Sequence, residues 1–568
     1  MKLESIELRF NKFIAFLTFL ITSLVSFSLG EIFYNSVDGT DFYRYFNYIE
    51  YFSGEIDSPS REQGLFYFWI ISISIEKVSS FFVSENWENI FSTAIQIANF
   101  LIYLIGVVGL IYLLRQKKIP WEKIFLSCSV LNLFPPVFGG RLIMKPEIIA
   151  FALLPWILVA INQYFIHKSN LFLIFASTLF SIIATSKGTI ALISSFAIFM
   201  IFYDKIKLIN IRDLLIPGII FFVSFFLLYY ENTNINSISF ANHPEEQSYL
   251  FKANLSFLYN INFLDLYFNP FRNHHADSLI GITLLDMFND YFNRYWEHPR
   301  SLFFADREKL FGFLEFPRRN LSLLLATLFV AYSLKERSKF KLLYLSGIII
   351  LTLTSLGLFG LHFNPQKGDT LKTHYYSFLL GISFVFIFLD FIKSNNYWKN
   401  YLCTIFTVLL FLFIFGFPKN YSVSTESKIL DKIPSTISCN YTKYYFNQVF
   451  LDNINCSQDR PLSLPYNCGS SEDFNTPIFH EDGYLIFVSD DNFEQINLKD
   501  KFDNVITVNG FAECFHYVEG GYYKYSLDSL YFITVDPPRY NNAFLYVSLF
   551  SIFGIILLPR KKIYSSSE

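Results

Sequence analysis

The chain has 568 residues, 52% hydrophobic and 20% aromatic but only 16% charged, with a mean hydropathy of +0.35. Soluble domains carry about 25% charged residues, so this composition excludes an ordinary soluble protein and describes a polytopic α-helical membrane protein. The net charge of -3 decides little, because the side of the membrane on which each charge falls matters more; with no basic patch outside short loops, nucleic-acid binding is excluded.

Crossing about 30 Å of hydrocarbon takes roughly 20 residues. Apolar runs suited to this lie near 13–30, 90–114, 119–138, 146–166, 213–230, 318–334, 342–362, 373–392, 400–417 and 542–558. The block 171–203 would span on the order of 50 Å as one helix, so it is expected to form two short crossings joined at Ser186-Lys187-Gly188. The expected total is about twelve spans. The basic clusters around Lys2 to Lys12, Arg115 to Lys118, Lys168, Lys205 to Arg212, Lys335 to Lys341, Lys393 to Lys399 and Arg560 to Lys562 then all fall on one side. That side is expected to be the cytoplasm, with both termini there.

Between the first two spans, 31–89 is expected to be an outer loop, since its acids far outnumber Arg44, Arg61 and Lys77. Within it, Leu65 to Phe82 is apolar enough to pass for a span. We expect a helix lying along the outer surface, with Glu76 and Lys77 at the water. The basic amino terminus resembles a signal peptide but has no small-residue cleavage site, so a retained first helix is expected. Further large outer segments are expected at 231–317 and 418–541.

The stretch 418–541 is expected to be a small β-containing domain on the outer side. Tyr484 to Val488, Asn504 to Val508 and Leu530 to Val535 are short runs rich in β-branched and aromatic residues, bounded by turn formers. Cys439, Cys456, Cys468 and Cys514 lie in this stretch, whereas Cys128 and Cys403 sit in apolar runs. Four cysteines on an oxidising side suggest two disulfides, with three pairings open; zinc is the rival, disfavoured because no Cys-x-x-Cys pair occurs. Asn-x-Ser/Thr triplets at Asn254, Asn440 and Asn455 carry no assigned role.

The sequence Asp38-Gly-Thr-Asp41-Phe-Tyr43-Arg44 just past the first helix crowds carboxylates, aromatics and an arginine against a membrane surface. A carboxylate there can take a proton from a hydroxyl, aromatic rings pack on sugar faces, and an arginine holds a phosphate. The bland alternative is a polar loop with an interfacial aromatic belt. Arg141 and Lys145 either mark a helix end or bind an anion. Lys187, inside an apolar block, must meet water, a carboxylate or a phosphate. His374 is either interfacial or functional. Asp286, Asp290 and Trp296 mark either an acceptor pocket or an amphipathic surface helix. No obligatory cofactor or metal is expected: adjacent His274 and His275 do not converge on an ion, and a divalent metal has no other support.

These features, in this order, resemble the GT-C superfamily of integral membrane glycosyltransferases, in particular the branch of protein O-mannosyltransferases and aminoarabinose transferases. The resemblance covers roughly residues 10–420 and rests on four segments. They are Asp38-Gly-Thr-Asp41 followed by Arg61-Glu-Gln-Gly-Leu-Phe-Tyr, then Gly140-Arg141-Leu-Ile-Met-Lys145-Pro-Glu147, then Ser186-Lys187-Gly188, and Lys367-Gly-Asp369-Thr-Leu-Lys372-Thr-His374. The acidic motif lacks adjacent carboxylates, and Glu147 follows a proline where the family often has Asp.

The resemblance implies inverting transfer of a sugar from a polyprenyl-phosphate donor to a protein, lipid or glycan acceptor at the outer face of a bacterial inner membrane. Asp41, or Asp38 in its place, would be the general base. Arg141, Lys145, Lys187, Lys372 and His374 would hold the donor phosphate, and Tyr43, Arg44, Glu147, Asp286, Asp290 and Trp296 would line the sugar and acceptor side. Two other classes stay open: an envelope polysaccharide polymerase or ligase, and a non-catalytic transporter or assembly factor.

Overall fold

The structure is a computed structural model that describes residues 2–33, 42–53, 63–81, 87–230, 255–268, 275, 278–288, 314–356, 373–394, 396–415, 441–446, 449–454, 478–479, 485–499, 505–518 and 542–557. Its helices are α1 (Lys2–Phe33), α2 (Phe42–Ser53), α3 (Leu65–Phe81), α4 (Trp87–Gln116), α5 (Trp121–Leu131) and α6 (Pro135–Leu142). They continue with α7 (Ile148–His167), α8 (Asn170–Ser186), α9 (Gly188–Phe202), α10 (Ile211–Tyr230), α11 (Phe263–Phe268) and α12 (Leu279–Asp286). The last are α13 (Glu315–Glu336), α14 (Tyr344–Ser355), α15 (Ser377–Phe391), α16 (Tyr397–Phe415) and α17 (Asn542–Leu557).

Among the described residues, each of the expected apolar runs contains helix. Among the described residues six helices are long and apolar enough to cross a membrane: those within α1, α4, α7, α10 and α16, and α9 with the 3-10 turn that follows it. A seventh is the bent pair α5 and α6; α8, α14 and α15 are shorter apolar helices. The run 119–138, expected as one helix, bends by 57° between α5 and α6. Pro135 and Pro136 stand at the first positions of α6, where their missing N–H groups interrupt a continuous ladder but suit a new helix start. The long block breaks where expected: α8 ends at Ser186, α9 starts at Gly188, and Lys187 between them is extended, with φ -163° and ψ 122°.

The chain packs around α4, α7 and α8, with α1 against α5 and α10 against α8. Gly106 makes the close approach of α4 to α7 possible, because a Cβ there would stand 2.4 Å from the carbonyl oxygen of Phe151. One turn on, the Trp156 indole N–H donates to the Ile105 carbonyl at 2.9 Å. On the perimeter the polarity reverses: Leu215, Ile219, Phe222 and Phe226 of α10, and Phe10, Phe13 and Leu24 of α1, are exposed. Helices that bury their backbone bonds and turn large apolar side chains outward belong in a lipid bilayer.

The α3 helix is more deeply packed than a helix resting on a surface needs to be. Leu65, Phe66, Tyr67 and Phe68 are all buried, Tyr48 of α2 stacks on Phe68 with ring centroids 4.1 Å apart, and only the Glu76–Lys77 end reaches the exterior.

Several basic segments meet at one end of the bundle. Lys339 pairs with Asp204, Lys341 and Lys393 with Asp390, Lys123 donates to the Lys393 carbonyl, Lys168 to the Leu208 carbonyl, and Lys117 lies over the Phe340 ring. Three helix exits there, at Lys118, Lys168 and Arg337, use left-handed backbone with φ of 60°, 54° and 50°.

Beyond α16 the backbone forms a five-stranded antiparallel sheet of β1 (Tyr441–Phe446), β2 (Val449–Ile454), β3 (Ile478–Phe479), β4 (Leu485–Lys499) and β5 (Val505–Val518), in the order β1-β2-β5-β4-β3. Of the runs at 484–488 and 504–508, residues 485–488 fall on β4 and 505–508 on β5, and Cys514 is on β5. The run 530–535 and Cys439, Cys456 and Cys468 lie outside the described residues.

Candidate functional site

Five of the residues singled out for an anion or sugar site, Arg141, Lys145, Glu147, Lys187 and His374, come together at the start of α7. Glu147 is the residue before the helix, and its Oε1 accepts from Lys187 Nζ at 2.6 Å. His374 Nε2 lies 3.2 Å from the same oxygen. Both partners of the ion pair have side chains only 5% exposed. Lys187 Nζ also stands 4.6 Å from the centre of the Tyr375 ring, which adds a cation–π contact in a desolvated setting.

A small cavity opens beside this cluster, and its polar lining is Tyr103, Arg141, Lys145, Glu147, His374 and Ser377. Lys187 is not among the lining residues. It pairs with Glu147, and the cations that line the cavity are Arg141 and Lys145. The amino-terminal end of α7 contributes Glu147, Ile148 and Phe151 to the wall, and the positive end of the helix dipole favours a negative ligand there.

Arg141 is held from behind. Its Nη2 donates to the Ser26 carbonyl and hydroxyl, both at 2.9 Å, and its guanidinium carbon lies 5.0 to 5.6 Å from the ring centres of Phe100, Phe138 and Tyr103. Asn99, midway along α4, donates to the carbonyls of Arg141 and Ile143 and accepts from the Tyr67 hydroxyl, which fixes the turn leaving α6. The remaining guanidinium nitrogens, Nε and Nη1, are buried without a hydrogen-bond partner among the described residues, as is Oε2 of Glu147. Orphaned charged donors are costly in an apolar setting, so the site is built for a group that supplies acceptors.

Burial alone would push the Glu147 carboxyl up. Lys187, and then His374 and Lys145, outweigh it and hold the carboxyl well below the usual range. Burial and the positive charge of Lys145 push His374 well below its ordinary value, against the opposing pull of Glu147. The surroundings thus favour the ionised form of Glu147 and the neutral form of His374. A neutral imidazole facing a carboxylate carries its proton on the facing nitrogen, here Nε2. Cations outnumber the carboxylate, although Glu31, hydrogen-bonded by Thr93, interacts with Arg141 from α1.

Asp286 is placed differently from the expected acceptor pocket. Fully buried at the end of α12, it accepts from the Thr373 backbone N–H at 2.9 Å and from its hydroxyl at 2.8 Å. It thus caps the 3-10 turn Thr373–Tyr375 that carries His374. Tyr43 and Arg44 belong to α2. Asp38, Asp41, Lys372, Asp290 and Trp296 lie outside the described residues. No three His, Cys, Asp or Glu side chains group around a metal position among the described residues.

The supporting residues Ser26, Asn99, Tyr103 and Ser377 were not singled out from the sequence. Asn99 had a signal, since an amide in the middle of an apolar helix must find a partner; a serine or tyrosine in such a chain has none.

The cavity stands at the opposite end of α7 from the basic segments. At 1.5 Å per residue the 20 residues of this helix put about 30 Å between Ile148 and the Lys168 end, the thickness of a hydrocarbon core. No protein-family model matches the chain, and the search of curated proteins finds no match either.

Proposed function

We propose that this membrane protein is a glycosyltransferase that moves a sugar from a polyprenyl-phosphate donor to an acceptor at the outer face of the membrane. The observation that carries the reading is the convergence of Arg141, Lys145 and His374 on one buried cavity, at the opposite end of α7 from the basic segments. Arg141 and Lys145 hold the donor phosphate. As the glycosidic C–O bond breaks, negative charge grows on the leaving phosphate, and fixed cations aimed at it lower the barrier. His374 keeps its one N–H toward Glu147 and adds no charge of its own to the cavity wall.

The acceptor hydroxyl attacks the anomeric carbon from the face opposite the phosphate, so the product has inverted configuration. Asp41, or Asp38 in its place, takes the hydroxyl proton. The 418–541 segment is proposed as a disulfide-bearing outer domain with a part in acceptor recognition, in a twelve-span bacterial inner-membrane protein whose termini are both cytoplasmic.

The test is transfer of radiolabelled sugar from a polyprenyl-phosphate donor in proteoliposomes, comparing the unmodified protein with Asp41→Asn, Asp38→Asn and Arg141→Gln. Loss with one aspartate and with Arg141→Gln supports the reading. No transfer from any of a panel of donors by the unmodified protein returns the choice to the polymerase and transporter classes.

A further inference from the structure

The break at Lys187 raises the question of what keeps α8 and α9 apart. In a continuous helix the Ser186 carbonyl would accept from the N–H of residue 190. Here it accepts instead from the backbone N–H of Gly64 at 3.0 Å, a residue remote in sequence that leads into α3. The helix end is thus capped in trans, its orphaned carbonyl satisfied by a foreign donor.

Only glycine fits this contact. A Cβ on Gly64 would stand 1.9 Å from the Thr185 carbonyl oxygen and 2.9 Å from the Ser186 Cα, both backbone atoms that have no rotamer to escape into. The same segment is tied down one residue earlier, where the Gln63 N–H donates to the Tyr48 hydroxyl at 2.7 Å. Tyr48 in turn is buried in α2, the helix that directly follows Asp38 and Asp41 in sequence.

We propose that Gly64 and Lys187 are positioning residues of the anion site: docking of the Gln63–Gly64 segment fixes the junction of α8 and α9, which keeps Lys187 on Glu147 and so neutralises the carboxylate that borders the cavity. The proposal rests on the phosphate-binding reading only for its effect on ligand affinity; the linkage from Gly64 to Lys187 stands without it. When the segment is lifted, the Ser186 carbonyl loses its donor, the junction of α8 and α9 is no longer fixed, and Lys187 leaves Glu147. An uncompensated carboxylate then faces the anion.

The experiment labels lysines of the full-length protein in lipid nanodiscs with an amine-reactive ester and quantifies Lys187 by mass spectrometry, for unmodified, Gly64→Ala and Tyr48→Phe proteins. Lys187 should be protected in the unmodified protein, at least fivefold more reactive in Gly64→Ala, and about twofold more reactive in Tyr48→Phe, which removes the hydroxyl that accepts from Gln63. A monodisperse Gly64→Ala protein with Lys187 still protected overturns the proposal. Should Gly64→Ala fail to fold, unchanged reactivity in Tyr48→Phe overturns it just as well.

The second arm measures binding of polyprenyl monophosphate. Gly64→Ala should weaken it about tenfold, and Gly64→Ala with Glu147→Gln should recover most of the loss, because the exposed charge is gone; a general packing defect would not be rescued in this way. Recovery absent while Lys187 is exposed overturns the role of Glu147 as the relay. If the unmodified protein binds no lipid phosphate, the phosphate reading fails while the labelling result still decides the linkage.

Discussion

Lys187 Nζ and Glu147 Oε1 are 2.6 Å apart across the junction of α8 and α7, and of the two it is the carboxylate that lines the cavity. Their relationship decides what kind of site this is. With the pair intact, Glu147 is a neutralised wall and an anchor for His374; with it broken, Glu147 is a barrier to any anion.

Removing one member should therefore be worse than removing both. Lys187→Met leaves a buried carboxylate uncompensated, and breaking such a pair destabilises by about 3 to 5 kcal/mol. Lys187→Met with Glu147→Gln should recover more than half of that loss. Thermal unfolding in detergent, followed by intrinsic fluorescence, measures both, and a double variant no more stable than Lys187→Met would contradict the pairing.

Acid should weaken the fold in two stages. His374 has its folded value depressed, so the unfolded chain binds the proton more readily, and stability declines as pH falls below the ordinary value of 6.5. Glu147 is depressed as well, so its contribution is complete above the ordinary value of 4.5 and declines as pH falls below it. Melting temperatures between pH 8 and pH 4 should drop on this schedule, and His374→Gln should flatten the first stage while leaving the second.

Arg141 offers donors, Nε and Nη1, that nothing among the described residues satisfies. Hydrogen bonds to charged groups are worth about 1.5 to 3 kcal/mol, so Arg141→Gln should weaken polyprenyl monophosphate binding by roughly 10- to 150-fold. Arg141→Lys keeps the charge but loses the planar donor set and the stacking on Phe100 and Phe138. Partial binding, closer to Arg141→Gln than to the unmodified protein, is expected from isothermal titration. Equal affinity in all three would remove Arg141 from the site.

The left-handed exits give a stability prediction away from the site. Lys118 holds φ of 60° without being glycine, so Lys118→Gly should relieve backbone strain and stabilise by about 0.5 to 1 kcal/mol. A fall in melting temperature would mean that the lysine makes a contact worth more than the strain.

The helices were legible because apolar runs of membrane length leave few alternatives, and the break at Lys187 was legible because the block was too long and had a lysine at its middle. Arg141, Lys145, Lys187 and His374 stood out for the same reason: charge in an apolar chain demands a partner. The order of the partners was not legible. Nothing local tells that Lys187 pairs with Glu147, that Asp286 caps the turn bearing His374, or that Gly64 reaches Ser186, because each is a contact between segments far apart in sequence. The bend before α6 was signalled by Pro135-Pro136, but hydropathy alone joined the two helices.

Lys118, Lys168 and Arg337 combine two demands at the same residues. Each turns the chain out of a helix through a conformation that glycine adopts more easily, and each adds a positive charge to the basic end of the bundle. A glycine there would ease the turn yet remove part of the signal by which a nascent chain is threaded in one orientation. Replacing all three therefore sets folding against insertion: the gain would be read in the finished protein and the loss in the fraction of chains that arrive the right way round.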